Sequence, residues 1–318
     1  MPQRLRILFV SSEVEPFAKT GGLADVSGAL PKALVGLGHD VRLLMPKYRG
    51  VERHAGSLTT AIPQLRVPIA DRRSEGALLE GRMGSHVPVY FLANDHYYDR
   101  DSLYTTPDGD YWDNCERFIF FCRATVEAVR GLGWQPHVIH VNDWQTGLIP
   151  VYLETLYRDD PVCAEIATLF TVHNLAYQGV FWHYDMPMTG FGWDFFTPAG
   201  IEFYGKINFL KGGLVFADLL NTVSRAYARE IQTPEAGSGL EGVLQERSED
   251  FYGVVNGIDY EVGNPATDPE IPKRYTAEDL EGKRISKASL REELGLRDEP
   301  GPLIGMVTRL AEQKGIDL

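Results

Sequence analysis

Apolar residues fall in short blocks along this chain, and the spacing inside the blocks alternates between two periods. Leu5 to Val10 has the length and content of a buried parallel strand. From Leu23 to Leu37 the apolar positions recur at helical spacing, and Gly36 and Gly38 close the segment. Val41 to Pro46, VRLLMP, reads as a second buried strand, so the chain opens on a strand, helix, strand unit. The alternation continues through the strand PVYFLAND, the helix FIFFCRATVEAVRGLG, the strand HVIHVND, the helix TGLIPVYLETLY and the strand ATLFTVHN. That order predicts an α/β fold built on a doubly wound parallel sheet. Leu65 to Val89 is expected to add antiparallel strands at one edge.

Between Tyr260 and Pro302 the chain turns polar and rich in Pro and Gly, with a charged helical stretch from about Glu278 to Leu294. After it, LIGMVTRL reads as a fresh buried strand and AEQKGIDL as the opening of another helix. The expected division is a domain over 1–259, a linker over 260–301, and the start of a second domain over 302–318. A lone strand with a few helical residues cannot bury an apolar face, so the remainder of that second domain is expected to be absent.

Composition narrows the function classes. With 318 residues and 44% apolar content, the chain is long enough for two cores. A net charge of −13 disfavours a nucleic-acid surface or a basic membrane face, both of which need clustered Lys and Arg. It does not exclude an anionic small ligand, because screening over about 8–10 Å lets a few placed cations dominate locally. Three cysteines without a CxxC fit a reducing compartment. The amino-terminal apolar stretch is too short for a signal peptide, and no window approaches the ~20 apolar residues of a membrane helix, so a cytoplasmic soluble protein is expected.

The octapeptide KTGGLADV, Lys19 to Val26, links the first strand to the first helix. Paired glycines, Gly21 and Gly22, let the main chain approach a bulky polar ligand and tolerate positive φ. Helix amides and Lys19 would face negative charge there, and Asp25 in the first turn could accept sugar hydroxyls. A plain strand-to-helix turn explains Gly-Gly equally well, and the GxGxxG of dinucleotide folds is absent, which counts against an NAD-dependent oxidoreductase. Asp143 follows one strand and His173, with Asn174, follows another, where open sheets bind ligands; a helix cap for Asp143 and a structural role for His173 are the alternatives. VVNGIDY, Val254 to Tyr260, reads as a strand leading into a turn, with Asn256 and Gly257 able to adopt positive φ, and a plain turn is the alternative. Arg309 and Lys314 would bring two cations from the second domain, and solvated surface charge is their alternative. Asp108, Gly109 and Asp110 spell DxD but lie in a turn-prone loop. Tyr97, Tyr98, Trp112, Phe181, Trp182 and Trp193 can stack on sugar rings or pack.

Taken in order, KTGGLADV, VNDWQTG, TVHNLAYQG, NFLKGGLVFADLLNTVS, GLEGVL, VVNGID and TRLAEQKGIDL resemble bacterial glycogen synthase and plant starch synthase over nearly the whole chain. The resemblance implies a GT-B glycosyltransferase with two Rossmann-like domains. It implies retaining transfer of glucose from ADP-glucose to the non-reducing 4-hydroxyl of an α-1,4-glucan, with no metal or other cofactor. Carried over by position, Lys19, Gly21 and Gly22 resemble the donor-holding loop. Asp25, Asp143, His173 and Asn256 fall on the glucosyl or acceptor side, and Tyr98 resembles a donor-side or acceptor-side aromatic. Arg309 and Lys314 resemble the pair that neutralises the departing diphosphate, so catalysis would rest on His173, Asp143, Arg309 and Lys314. The family's essential glutamate in an ExxGL-type segment and its glycine-rich loop have no counterpart in this sequence. The chain is therefore expected to be an acceptor-side domain, inactive by itself. The alternatives are a non-catalytic glucan-binding fragment and a UDP-glucose-dependent glucosyltransferase.

Overall fold

The computed structural model describes residues 3–84, 87–297, 299–308, 310 and 314–317. The chain divides into two compact units, Met1–Gly257 and Ile258–Leu318.

The first unit is built on a nine-stranded sheet. Its strands are β1 (Arg6–Val10), β2 (Asp40–Pro46), β3 (Thr59–Ile69), β4 (Arg72–Met83), β5 (Val87–Ala93), β6 (Val138–Asn142), β7 (Ala167–Val172), β8 (Leu219–Thr222) and β9 (Phe251–Gly253). They lie in the order β9-β8-β7-β6-β1-β2-β5-β4-β3. Every pairing from β9 to β5 is parallel, and β5 to β4 and β4 to β3 are antiparallel. The expected antiparallel edge is thus present, and its outermost strand carries Pro63 and Pro68, which suit a strand lacking a partner on one side. From β1 the chain runs outward to one side through β2 and β5, then returns to lay β6 on the other flank of β1. Strand order reverses there, and the carboxyl ends of β1 and β6 mark the position at which open α/β sheets place a ligand crevice.

The longer helices of this unit are α1 (Gly22–Gly36), α2 (Asn114–Gly131), α3 (Leu148–Glu154), α4 (Phe209–Phe216), α5 (Arg225–Glu230) and α6 (Glu241–Glu246). Helix α2 has no Gly or Pro before its last residue and is apolar nearly all round; Phe118, Ile119, Phe120, Phe121 and Cys122 are fully buried. Arg117 is buried with them. Its guanidinium donates to the carbonyls of Tyr97 (2.8 Å) and Leu103 (3.0 Å) and to Asn114 Oδ1 (2.6 Å), which ties the 97–103 segment to the helix. Between β7 and α4 the chain makes an excursion around a small antiparallel sheet of Val180–Trp182, Lys206–Asn208 and Glu202–Phe203. The buried Lys211 braces it by donating to the carbonyls of Pro198 (2.7 Å) and Glu202 (2.5 Å).

In the second unit, helix α7 (Glu281–Glu293) falls inside the predicted charged stretch. The strand expected over LIGMVTRL does not form: residues 302–308 are irregular, with Ile304, Met306 and Val307 exposed. A strand exists only where its amides and carbonyls find a neighbouring strand, and among the described residues none pairs with this segment.

Candidate active site at the carboxyl ends of the parallel strands

Strand β1 is followed by the buried residues Ser11, Ser12 and Glu13, and β6 ends at the buried Asn142, with the buried Asp143 next. Strand β7 ends one residue before His173. These groups are linked to one another. Asp143 has φ +56° and ψ −178°, a left-handed conformation uncommon for a non-glycine residue, and it is 8% exposed. It makes no side-chain cap to the helical turn it precedes, Trp144–Thr146. Its Oδ1 instead accepts from the His173 backbone amide at 2.7 Å, joining the ends of β6 and β7. Burial pushes the carboxyl up to about 7 against the opposing amides of His173 and Asn174, and the charge of Glu13 pushes the same way.

The histidine tautomers follow from their neighbours. Asn142 donates its Nδ2 to the Val10 carbonyl at 3.0 Å, so its Oδ1 is an acceptor and His173 Nε2, 3.0 Å away, is the donor. His140 is arranged alike. Its Nε2 lies 2.7 Å from Thr171 Oγ1, whose own proton goes to Asn221 Oδ1 at 2.5 Å. Burial holds His173 near 4; burial and then the nearby His173 hold His140 near 3, so both rings are neutral at ordinary pH.

The turn before α1 is tied to the end of β1 through Glu13, which sequence reasoning passed over. One carboxylate oxygen accepts from the backbone amides of Thr20 (2.6 Å) and Gly21 (3.3 Å), the other from Thr20 Oγ1 (2.6 Å) and the Tyr104 hydroxyl (2.9 Å). The available signal was a carboxylate in SSEV, directly at a strand's carboxyl end and followed by residues that bury. Lys19 pairs with Asp25 at 2.6 Å and with Glu15 at 3.7 Å; the hydrogen bond to Asp25 leads in holding the ammonium above its ordinary value. Gly21 is the residue before α1, and no side chain caps that helix terminus.

The glycines do their work differently from expectation. Gly21 is extended, with φ −161°, and neither it nor Gly22 has positive φ. A Cβ at either would meet nothing within 4 Å. Their openness is toward solvent, where a ligand would come. Gly28 is the glycine that packing requires: its Cβ would stand 2.7 Å from the Glu15 carbonyl oxygen.

Other expected residues lie elsewhere. Tyr98 is fully buried, its ring edge-on to Tyr48 and its hydroxyl donating to the Arg117 carbonyl at 3.0 Å, so this aromatic belongs to the core and not to the crevice. Tyr104, six residues on, is the tyrosine that reaches Glu13. Asn256 is exposed in the irregular segment after β9, and neither it nor Gly257 takes positive φ. Lys314 is exposed in the second unit, and Arg309 lies outside the described residues. Asp108, Gly109 and Asp110 form an exposed hairpin with Thr105 and Thr106, the turn alternative. Among the aromatics, Tyr97 is buried, and Phe181 packs on Trp144 and Phe209. Trp112, Trp182 and Trp193 are exposed, and Tyr184 stands 5.6 Å from Trp182.

Comparison with known proteins bears on the family and the fold. Residues 6–246 match the model of the family described as the starch synthase catalytic domain. The glycogen synthase of Syntrophotalea carbinolica is 48% identical over 315 residues, 99% of this chain and 65% of the relative. That of Desulforudis audaxviator is 47% identical, covering 99% of this chain and 63% of the relative. The chain therefore spans just under two thirds of the length of these curated relatives. Among solved structures, the catalytic domain of starch synthase IV from Arabidopsis thaliana, bound to ADP and acarbose, superimposes with a TM-score of 0.90 at 31% identity, over 99% of this chain and 64% of that one.

Proposed function

The chain belongs to the starch synthase catalytic domain family, and from that premise we propose that it forms the acceptor-side part of a glycogen synthase. The reaction is retaining transfer of glucose from ADP-glucose to the non-reducing 4-hydroxyl of an α-1,4-glucan. The observation that carries the reading is the tying together of the carboxyl ends of β1, β6 and β7 at the switch point of the sheet, Asn142 to the Val10 carbonyl and Asp143 to the His173 amide.

Each group suits a part of that chemistry. Lys19 and the uncapped amino end of α1 favour the negative charge of a nucleotide diphosphate. Gly21 and Gly22 leave the main chain open to close approach. Asp143, half protonated near neutrality, can donate to or accept from sugar hydroxyls, and the neutral His173 presents an imidazole that adds no positive charge beside the sugar. Asp25 and Asn256 complete the hydroxyl-binding set. An oxocarbenium-like transition state makes the leaving diphosphate the main seat of developing negative charge, and Arg309 and Lys314 are the cations proposed to stabilise it. The Arabidopsis starch synthase structure, bound to ADP and acarbose, supports the same two ligand classes, a nucleotide and an oligosaccharide.

The test supplies radiolabelled ADP-glucose and maltoheptaose, with UDP-glucose in a parallel reaction, and follows both label incorporation and oligosaccharide binding. Maltoheptaose binding without label incorporation is the expected result for this chain, which carries only the acceptor-side part. Elongation with α-linked product by the chain alone would overturn its inactivity, and the parallel reactions would then name the donor. Absence of binding to both ligands would overturn the reading.

A further inference from the structure

In the turn at the head of α1 the Ala24 amide donates to the Gly21 carbonyl at 3.3 Å and Lys19 pairs with Asp25 at 2.6 Å, but neither contact holds the amides of Thr20 and Gly21. Neither Gly21 nor Gly22 has positive φ, and an added Cβ at either would meet nothing within 4 Å. Those amides are held by the Glu13 carboxylate, 4% exposed, three of whose four hydrogen bonds go to Thr20 and Gly21. The fourth comes from Tyr104, in the loop leading to α2, whose hydroxyl also lies 2.8 Å from Ser12 Oγ. A carboxylate offers about four lone-pair sites, and all are used here by neutral donors. One side chain thus joins the end of β1, the turn before α1 and the 99–113 loop.

We infer that Glu13 is a positioning residue for the sugar-nucleotide site: it holds the Thr20–Gly21 turn so that Lys19 and the first amides of α1 meet the ligand without an ordering cost at binding. The inference rests on the function proposed above. Its energetic basis is that hydrogen bonds to an ionised carboxylate are stronger than those to neutral acceptors. Thr20 is exposed and Gly21 half-buried, so without the carboxylate their amides turn to water and the turn loosens.

Two replacements of similar size separate this role from simple packing. Glu13→Met keeps the volume and removes every acceptor. Glu13→Gln can keep its oxygen toward the amides of Thr20 and Gly21 and turn its amino group to the hydroxyls of Thr20 and Tyr104, which accept as readily as they donate. Amide hydrogen exchange on the 318-residue chain, with calorimetric titration of ADP-glucose, reads both the turn and its consequence. In the Met variant, exchange at Thr20 and Gly21 should rise and ADP-glucose affinity should fall, each by about tenfold or more, the scale of one lost hydrogen bond. The Gln variant should restore both to within about threefold, and exchange in β6 should stay unchanged throughout. Thr20→Val, which removes one of the four bonds, provides an intermediate case should the Met variant not fold. Unchanged exchange at Thr20 and Gly21 in the Met variant, or faster exchange with wild-type affinity, would overturn the inference. If the wild-type chain binds no ADP-glucose, the underlying functional reading fails and the ligand clause falls with it, whereas a wild-type and Met variant that bind alike sink the Glu13 role alone.

Discussion

Asp143 and the two buried histidines give the molecule opposing responses to pH. Asp143 titrates near 7 in the fold against an ordinary value near 4, so the folded chain binds more protons than the unfolded one across that interval. Its contribution is intact at low pH and is lost as pH rises from about 4 to about 7, by at most about 4 kcal/mol. His140 and His173 run the other way: held near 3 and 4, they stabilise the fold above about 6.5 and lose that contribution as pH falls toward those values. Asp143→Asn keeps an oxygen for the His173 amide and removes the charge. The expected outcome is a gain of about 1–3 kcal/mol at pH 8–9, little change at pH 4–5, and weaker ligand binding at both. Urea denaturation across that pH range checks it, and a variant less stable than wild type at pH 9 would contradict the assignment. The positions of Asp143 and His173 were legible in the sequence because each directly follows an apolar strand. The internal pairing of the cluster was not, since it depends on β6 and β7 being neighbours in register, with Asn142 opposite Thr171.

Helix α1 shows which glycines serve the fold and which are left for a ligand. At Gly28 an added Cβ would press on the Glu15 carbonyl, so α1 must shift from the loop that carries Glu13 to Lys19. Gly28→Ala should therefore destabilise the chain by about 1–3 kcal/mol and loosen the site as well. Gly21→Ala and Gly22→Ala meet no obstacle and should leave stability within about 1 kcal/mol of wild type while weakening ADP-glucose binding. Thermal denaturation and calorimetric titration of the three variants distinguish them; loss of stability at Gly21 or Gly22 would mean that the turn is itself structural. Elements of this kind were readable from periodicity, as with α1 and the strands β1, β2, β5, β6 and β7. Periodicity failed at residues 302–308, where apolar content was present and a pairing partner was not. Resemblance singled out Tyr98, which the structure places in the core with its hydroxyl on the Arg117 carbonyl, whereas Tyr104 reaches Glu13; both anchors lie far along the chain from the tyrosine they hold.

At the scale of the whole chain, the two units differ in what they bury. Every buried apolar side chain among the described residues lies at or before Phe251, whereas the segment from Ile258 onward exposes Tyr260, Val262, Leu280, Leu294 and Ile304. Hydrophobic burial is the dominant favourable term in folding, so the first unit carries its own driving force. A chain of residues 1–257 should then keep a single cooperative unfolding transition, with a midpoint within about 3 °C of the longer chain, the shift that about 1 kcal/mol produces at this size. Calorimetry on the two chains, with near-ultraviolet circular dichroism to confirm fixed aromatic packing around Trp144, makes the comparison. The cluster at the switch point lies within 1–257, so maltoheptaose affinity should follow the shorter chain too. A broad, non-cooperative transition in the 1–257 chain would show that burial within the first unit is not sufficient to fold it. A normal transition with glucan binding lost would instead move part of the acceptor site beyond residue 257.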